Sequence, residues 1–240
     1  KEGAMKQIFD SLKKQSPSRI IALGFSAVIL VGAVLLMMPF SLKKGVHLSF
    51  LNALFTSTSA VCVTGLVVVD TADSFTAIGQ AIVAALIQIG GLGIASVGVG
   101  FIIAAGKRVS IKSRLMVKEA LNVDTYHGMV RLVRIVLAIT LGFEAAGAII
   151  SFFVFRKDYS PLHAVGISIF HSIAAFNNAG FDNLGGMHNL IPYKDNILLN
   201  ITTDVLVIVG GIGFLVLVDI VKQKSFKKLC LHSKVAISMT

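Results

Sequence analysis

Four stretches of this chain contain no Asp, Glu, Lys or Arg: Ile20–Leu42, Gly45–Val69, Ser74–Gly106 and Tyr159–Phe181. Two more are interrupted once each, Ile135–Phe155 by Glu144 and Asn196–Val218 by Asp204. A helix that crosses a bilayer needs roughly 20 consecutive apolar residues, so runs of this length set the solvent before any fold is considered. Composition agrees: 55% of the 240 residues are hydrophobic and 14% charged, against about 45–50% and about 25% in soluble domains. A chain this apolar is not disordered. Its two cysteines, Cys62 and Cys230, are too few for a disulfide scaffold. The formal charge of +10 does not make a nucleic-acid face, because the basic residues lie in short blocks between the apolar runs.

Two of the runs are poor spans. Gly45–Val69 holds His47, Ser49, Asn52, Thr56, Ser57, Thr58, Ser59 and Thr64; Tyr159–Phe181 holds Pro161, His163, His171, Ser172, Asn177 and Asn178. Such groups cannot face hydrocarbon cheaply. Each run is expected to form a short helix followed by irregular backbone, a re-entrant loop enclosed by protein. Four spans and two re-entrant loops result. The positive-inside rule fits that count, since seventeen of the 22 basic residues then share one side with the N-terminus and five lie opposite. The first run is too long for the apolar segment of a signal peptide and is expected to be a retained span.

The two halves are related. A shift of 115 residues places Phe55 on Phe170, Ser57 on Ser172, Ala60 on Ala175, Gly65 on Gly180 and Leu66 on Phe181. Further on, Ile89-Gly90-Gly91-Leu92-Gly93 matches Val209-Gly210-Gly211-Ile212-Gly213 at a shift of 120. The expected fold is an all-α polytopic membrane protein of tandem parallel repeats, each span, pore helix, filter loop, span. Its divisions are a cytoplasmic N-terminal segment (1–19), a first pore repeat (20–106), a cytoplasmic connection (107–127), a second pore repeat (128–222) and a final segment (223–240). Parallel repeats suit a pore with its axis along the membrane normal, whereas many secondary carriers use inverted repeats.

The helix before each loop carries roughly half a negative charge at its C-terminal end, which favours a cation there. Extended backbone without a strand partner leaves carbonyls for a desolvated ion, as in filters built from backbone oxygens. A glycine permits the positive φ that turns a carbonyl inward. The candidate ion-binding backbone is therefore Cys62, Val63, Thr64 and Gly65 in the first loop, and Asn177, Asn178, Ala179 and Gly180 in the second. Asp70, Asp73, Asp158, Asp182 and Asp195 are expected near the outer mouth, where they raise the local cation concentration.

The strings Ser57-Thr58-Ser59-Ala60-Val61-Cys62-Val63-Thr64-Gly65-Leu66 and Ala175-Phe176-Asn177-Asn178-Ala179-Gly180-Phe181, with both Gly-Gly-x-Gly runs, resemble the Trk/Ktr/HKT superfamily of cation transporters. Within it the chain is most similar to the bacterial Ktr-type potassium-transporter membrane subunits. The resemblance covers essentially the whole chain. It implies potassium uptake at a bacterial plasma membrane by a four-repeat, channel-like pore with one filter glycine per repeat. It also implies a homodimer docked on a cytoplasmic nucleotide-binding (RCK-type) regulatory ring, with no cofactor besides the transported potassium. The family's gating loop belongs to a third repeat, so this chain is expected to be an N-terminal half. A secondary solute carrier and a non-conducting membrane scaffold are the alternatives.

Other features read more plainly. Gly91-Leu92-Gly93 lacks the βαβ context of a dinucleotide loop and is expected to pack helices closely through small residues. The six histidines show no metal spacing, and His171 is expected to make a structural hydrogen bond. The Cys62 side chain is expected to pack behind the first loop. Glu144 and Asp204 lie within spans, where an ionisable group is either functional or bound to a neighbouring helix. The connection includes Leu115-Met116-Val117-Lys118-Glu119-Ala120-Leu121, apolar on one side at helical spacing. It is either a membrane-surface helix or a contact for the regulatory ring. Nothing resembles a catalytic Ser/His/Asp set.

Overall fold

The computed structural model of the chain describes residues 15–121 and 128–240. The first fourteen residues, and 122–127 of the connection, lie outside the described residues. Among the described residues, ten α-helices of nine or more residues carry the architecture. They are α1 (Pro17–Met37), α2 (Phe50–Val61), α3 (Ala77–Leu92), α4 (Ile94–Ala104), α5 (Ile111–Ala120), α6 (Met129–Phe155), α7 (Pro161–Phe176), α8 (Ile197–Gly211), α9 (Phe214–Gln223) and α10 (Leu231–Met239). No β-strand forms among the described residues, apart from one isolated bridge between Leu42 and Phe75.

Local chemistry starts most of these helices. Pro17 and Pro161 open α1 and α7 with a φ already suited to a first turn. Ser49 caps α2 by accepting from the Asn52 N–H at 3.2 Å, Thr76 caps α3 through Gly79 N–H, and Asn196 caps α8 through Leu199 N–H at 3.0 Å. At about 1.5 Å per residue, the 21 residues of α1 and 27 of α6 are long enough to cross a bilayer. α2 and α7 are apolar but short, 12 and 16 residues. Large apolar side chains such as Val31 at 59%, Leu141 at 60% and Ile197 at 74% exposure lie on outer faces. That surface suits lipid rather than water.

The second span of each half is where the sequence misleads. Ser74–Gly106 and Asn196–Val218 look continuous, yet α3 and α4 meet at 104° and α8 and α9 at 95°. The breaks fall at Gly93 (φ +77°, ψ 137°) and at Gly213 (φ +98°, ψ 139°), backbone that glycine adopts and residues with a Cβ avoid. The Gly-Gly-x-Gly run thus does two jobs. Gly91 packs closely, against Asn177, as expected, and Gly90 does so against Val61; Gly93, expected to pack as well, has nothing within 4 Å of its would-be Cβ, and neither has Gly213, so these last glycines turn the chain instead.

Helix packing recurs at the same spacing as the sequence matches. Ser57 Oγ donates to Ile29 O at 2.8 Å and Ser172 Oγ to Glu144 O at 2.7 Å, tying α2 and α7 each to the long helix before it. Gly32 of α1 faces Ser57 and Leu86; Gly147 of α6 faces Ser172 and Leu206. A Cβ at Gly90 of α3 would strike the carbonyl oxygen of Val61, and one at Gly210 of α8 that of Phe176. Helices α3 and α8 therefore press glycine backbone against the ends of α2 and α7. Helix α5 forms within the connection and buries Val117. Its Glu119 accepts from Ser18 Oγ, at the start of α1, at 2.8 Å.

Candidate functional site

Helices α2 and α7 end in the same way. Cys62 and Asn177 keep right-handed backbone (φ −83°, ψ −1° and φ −81°, ψ 1°). Val63 and Asn178 then swing to φ +55° and +57°. Thr64 N–H reaches back to Ser59 O at 3.0 Å and Val63 N–H to Ala60 O; Ala179 and Asn178 do likewise to Ala174 O and Ala175 O. These paired bonds are the Schellman arrangement, which satisfies the last helical carbonyls. Gly65 and Gly180 follow at φ +73° and +68°. A β-branched residue at positive φ is an outlier, so Val63 is held there by its surroundings, and held strain of this kind clusters at functional sites.

The loops meet. A Cβ on Gly65 would lie 3.0 Å from Ala179 O and 3.2 Å from Gly180 Cα, and one on Gly180 would lie 3.0 Å from Gly65 Cα. The eight expected residues thus occupy two matching segments joined at their glycines. Cys62, Thr64, Asn178 and Gly180 are exposed, Val63 and Gly65 half-buried, and Asn177 and Ala179 buried. Cys62 does not pack behind its loop: it is exposed, and among the described residues no helix covers it as α3 covers its counterpart. Its counterpart Asn177 is covered by α3, where Gly91 leaves room for its side chain.

Beside the second loop a groove of ≈ 380 Å³ is lined by residues including His171, Asn178, Gly180, Asp182 and Thr203. His171 Nε2 bonds Thr203 Oγ1 at 3.0 Å, the structural role expected of it. Burial raises the Asp182 carboxyl above its usual pKa, and Asp70 adds to the rise against a lowering bond from Leu184 N–H. A cation beside it would relieve that imbalance.

The aspartates expected at the outer mouth make specific bonds. Asp73 accepts from Gly186 N–H at 2.9 Å and Asp70 from Met187 N–H at 2.8 Å, clasping the segment after the first loop to the segment after the second. Asn183 Nδ2 adds a bond to Gln80 Oε1 at 3.0 Å. Asp158 accepts from Tyr193 Oη at 2.9 Å. Asp195 is exposed, and Asp204 lies on the exposed face of α8. Sequence reasoning missed the clasp, and it missed the partners of Glu144, which are Gln88 and Asn177; both sets of bonds join residues far apart in the chain. No cluster of His, Cys, Asp or Glu able to hold a metal occurs among the described residues.

Residues 10–239 match the TrkH family model, described as a cation transport protein. The chain is 40% identical over 228 residues to the potassium/sodium uptake protein NtpJ of Enterococcus hirae, covering 95% of this chain and 50% of that protein. It is 41% identical over 225 residues to the Ktr system potassium uptake protein B of Bacillus subtilis, covering 94% and 50%. Identity to the Ktr system potassium uptake protein D of the same organism is 38% over 216 residues, covering 89% and 47%. The chain spans about half the length of these relatives.

Proposed function

Because the chain belongs to the TrkH family of cation transport proteins, a family of membrane transporters rather than enzymes, we propose that it is the N-terminal half of a potassium uptake protein. Backbone carbonyls of Cys62–Gly65 and Asn177–Gly180 supply part of its selectivity filter. The observation that carries this reading is the shared backbone of the two loops, right-handed then left-handed and ending on abutting positive-φ glycines. Matched backbone gives the two loops matched carbonyl positions, and backbone carbonyls can replace an ion's water shell. Two pore helices whose negative ends point at the same place add to the attraction.

Two loops make half a ring, and the remaining ligands belong to a further pair of repeats. On this reading the N-terminus and residues 107–127 face the cytoplasm of a bacterial plasma membrane. There a nucleotide-binding ring gates a homodimer, and potassium is the only ion carried besides any coupled sodium. The names of the relatives, which are potassium or potassium/sodium uptake proteins, support the choice of cargo.

Uptake by the full-length protein in cells stripped of their own potassium systems tests the proposal. Saturable potassium entry exceeding sodium entry is expected. Absence of flux would favour a scaffold, and flux strictly tied to a second organic solute would favour a carrier; either result overturns the pore.

A further inference from the structure

The two loops are alike in backbone but not in what stands behind them. Behind the second, three polar side chains from three elements close on one another inside the protein. Glu144 of α6 is 7% exposed. Its Oε1 accepts from Asn177 Nδ2 at 3.2 Å and its Oε2 from Gln88 Nε2 of α3 at 3.2 Å. Asn177 Nδ2 also donates to Gln88 Oε1 at 3.0 Å and to Ile173 O at 2.9 Å. A shift of 115 residues brings Ile29 to the place of Glu144 and Cys62 to the place of Asn177, so the first loop has no such cluster.

A carboxylate buried between apolar helices is costly unless its lone pairs are filled, and ionisable groups at such depth are functional candidates by default. This one is bonded by side-chain amides, one of which belongs to the first residue of the second loop. The acceptor set also fixes the orientation of the amides: Asn177 Nδ2 faces three oxygens, so its own oxygen turns towards Gly91. Ser172 Oγ on the Glu144 carbonyl anchors the same turn of α6 to α7 from the other side.

We propose that Glu144 is a positioning residue for ion selection: with Gln88 it clamps Asn177 and so sets where the second loop stands relative to the first. The inference rests on the reading of the loops as a potassium filter. It assigns to a residue outside them the spacing that the ion meets. The clamp needs one carboxylate and two amides in the triangle, and either position 88 or position 144 can carry the carboxylate. With the two side chains exchanged, the amide now on α6 would donate to the carboxylate now on α3, and Asn177 would donate to both, the same three bonds in mirror order.

The test compares Glu144→Gln, Gln88→Glu and the exchange Gln88→Glu/Glu144→Gln in the full-length protein. It reads the potassium-to-sodium uptake ratio and the KM for potassium, alongside the thermal midpoint of purified protein. Each single variant is expected to lower the ratio by roughly tenfold, the scale of one charge-assisted hydrogen bond lost, and the exchange to restore it. A role in folding alone would lower the amount of active protein and leave ratio and KM as they were. If the single variants do not accumulate, the exchange decides. A folded exchange variant with wild-type ratio and KM supports the clamp, and a folded one with a lowered ratio overturns it. Single variants that accumulate and keep the wild-type ratio also overturn it. A wild-type protein that transports potassium no better than sodium sinks the filter reading itself, a result separable from failure of the clamp.

Discussion

Gly210→Ala is expected to destabilise the protein by about 3 kcal/mol and to abolish potassium uptake, and Gly90→Ala to do the same. The added methyl meets backbone, not a side chain that can swing aside: the carbonyl oxygen of Phe176 in one case and of Val61 in the other. Those two residues end α2 and α7, and their successors are the loops. Relief of the overlap must move either α3 or α8 or the loop backbone proposed as the filter, and a packed interior transmits such shifts rather than absorbing them. The neighbouring position separates this cause from a general intolerance of alanine. A Cβ at Gly211 lies 3.6 Å from Asn178 Nδ2, an ordinary contact. Gly211→Ala should stay within about 1 kcal/mol of wild type, helped by the better helix propensity of alanine. Thermal midpoints of the purified variants, read with cellular uptake, check the contrast. Equal midpoints for the 210 and 211 variants would contradict it.

Gly65→Ser should collapse the preference for potassium over sodium, by roughly tenfold or more, while leaving the protein folded. Two effects add. A side chain at φ +73° costs about 1–2 kcal/mol, which presses the residue towards negative φ and swings its carbonyl away from the ion. The Cβ itself would sit 3.0 Å from Ala179 O and 3.2 Å from Gly180 Cα, so the loops must part. Each tenfold of preference corresponds to about 1.4 kcal/mol, and the cost of the strained φ alone is of that size. Gly180→Ser should behave alike, since its Cβ would lie 3.0 Å from Gly65 Cα. Competing uptake of the two ions measures the change; a wild-type ratio in either variant would count against carbonyls as the selecting ligands.

Much of this arrangement is legible in the residues alone. Uncharged length reveals α1 and α6, because a span has to be apolar along its whole course. Hydroxyls and amides packed into Gly45–Val69 and Tyr159–Phe181 reveal the pore helices, because such groups need protein around them. The paired glycines at 65 and 180 are legible because positive φ has few tenants.

What stays hidden depends on distance or on backbone geometry. Gly90 and Gly93 look alike in a sequence, yet one packs against Val61 and the other breaks the helix, and only its φ of +77° tells them apart. Val63 would ordinarily argue for extended backbone, and its left-handed turn is imposed by the capping bonds around it. Asp70 and Asp73 announce an exposed acidic turn, but their partners are the N–H groups of Gly186 and Met187, which no side-chain pattern marks. Glu144 could have been a lone functional acid or a helix-to-helix bond. It is bonded, and its partners Gln88 and Asn177 come from opposite halves of the chain.

The claim on which all of this turns is that an ion sits between the two loops. Anomalous scattering from rubidium, diffused into crystals of the full-length protein in place of potassium, locates it directly. The account predicts a peak flanked by the backbone of Cys62–Gly65 on one side and Asn177–Gly180 on the other, lost when sodium replaces rubidium. Rubidium peaks elsewhere in the protein with none between these loops would contradict it.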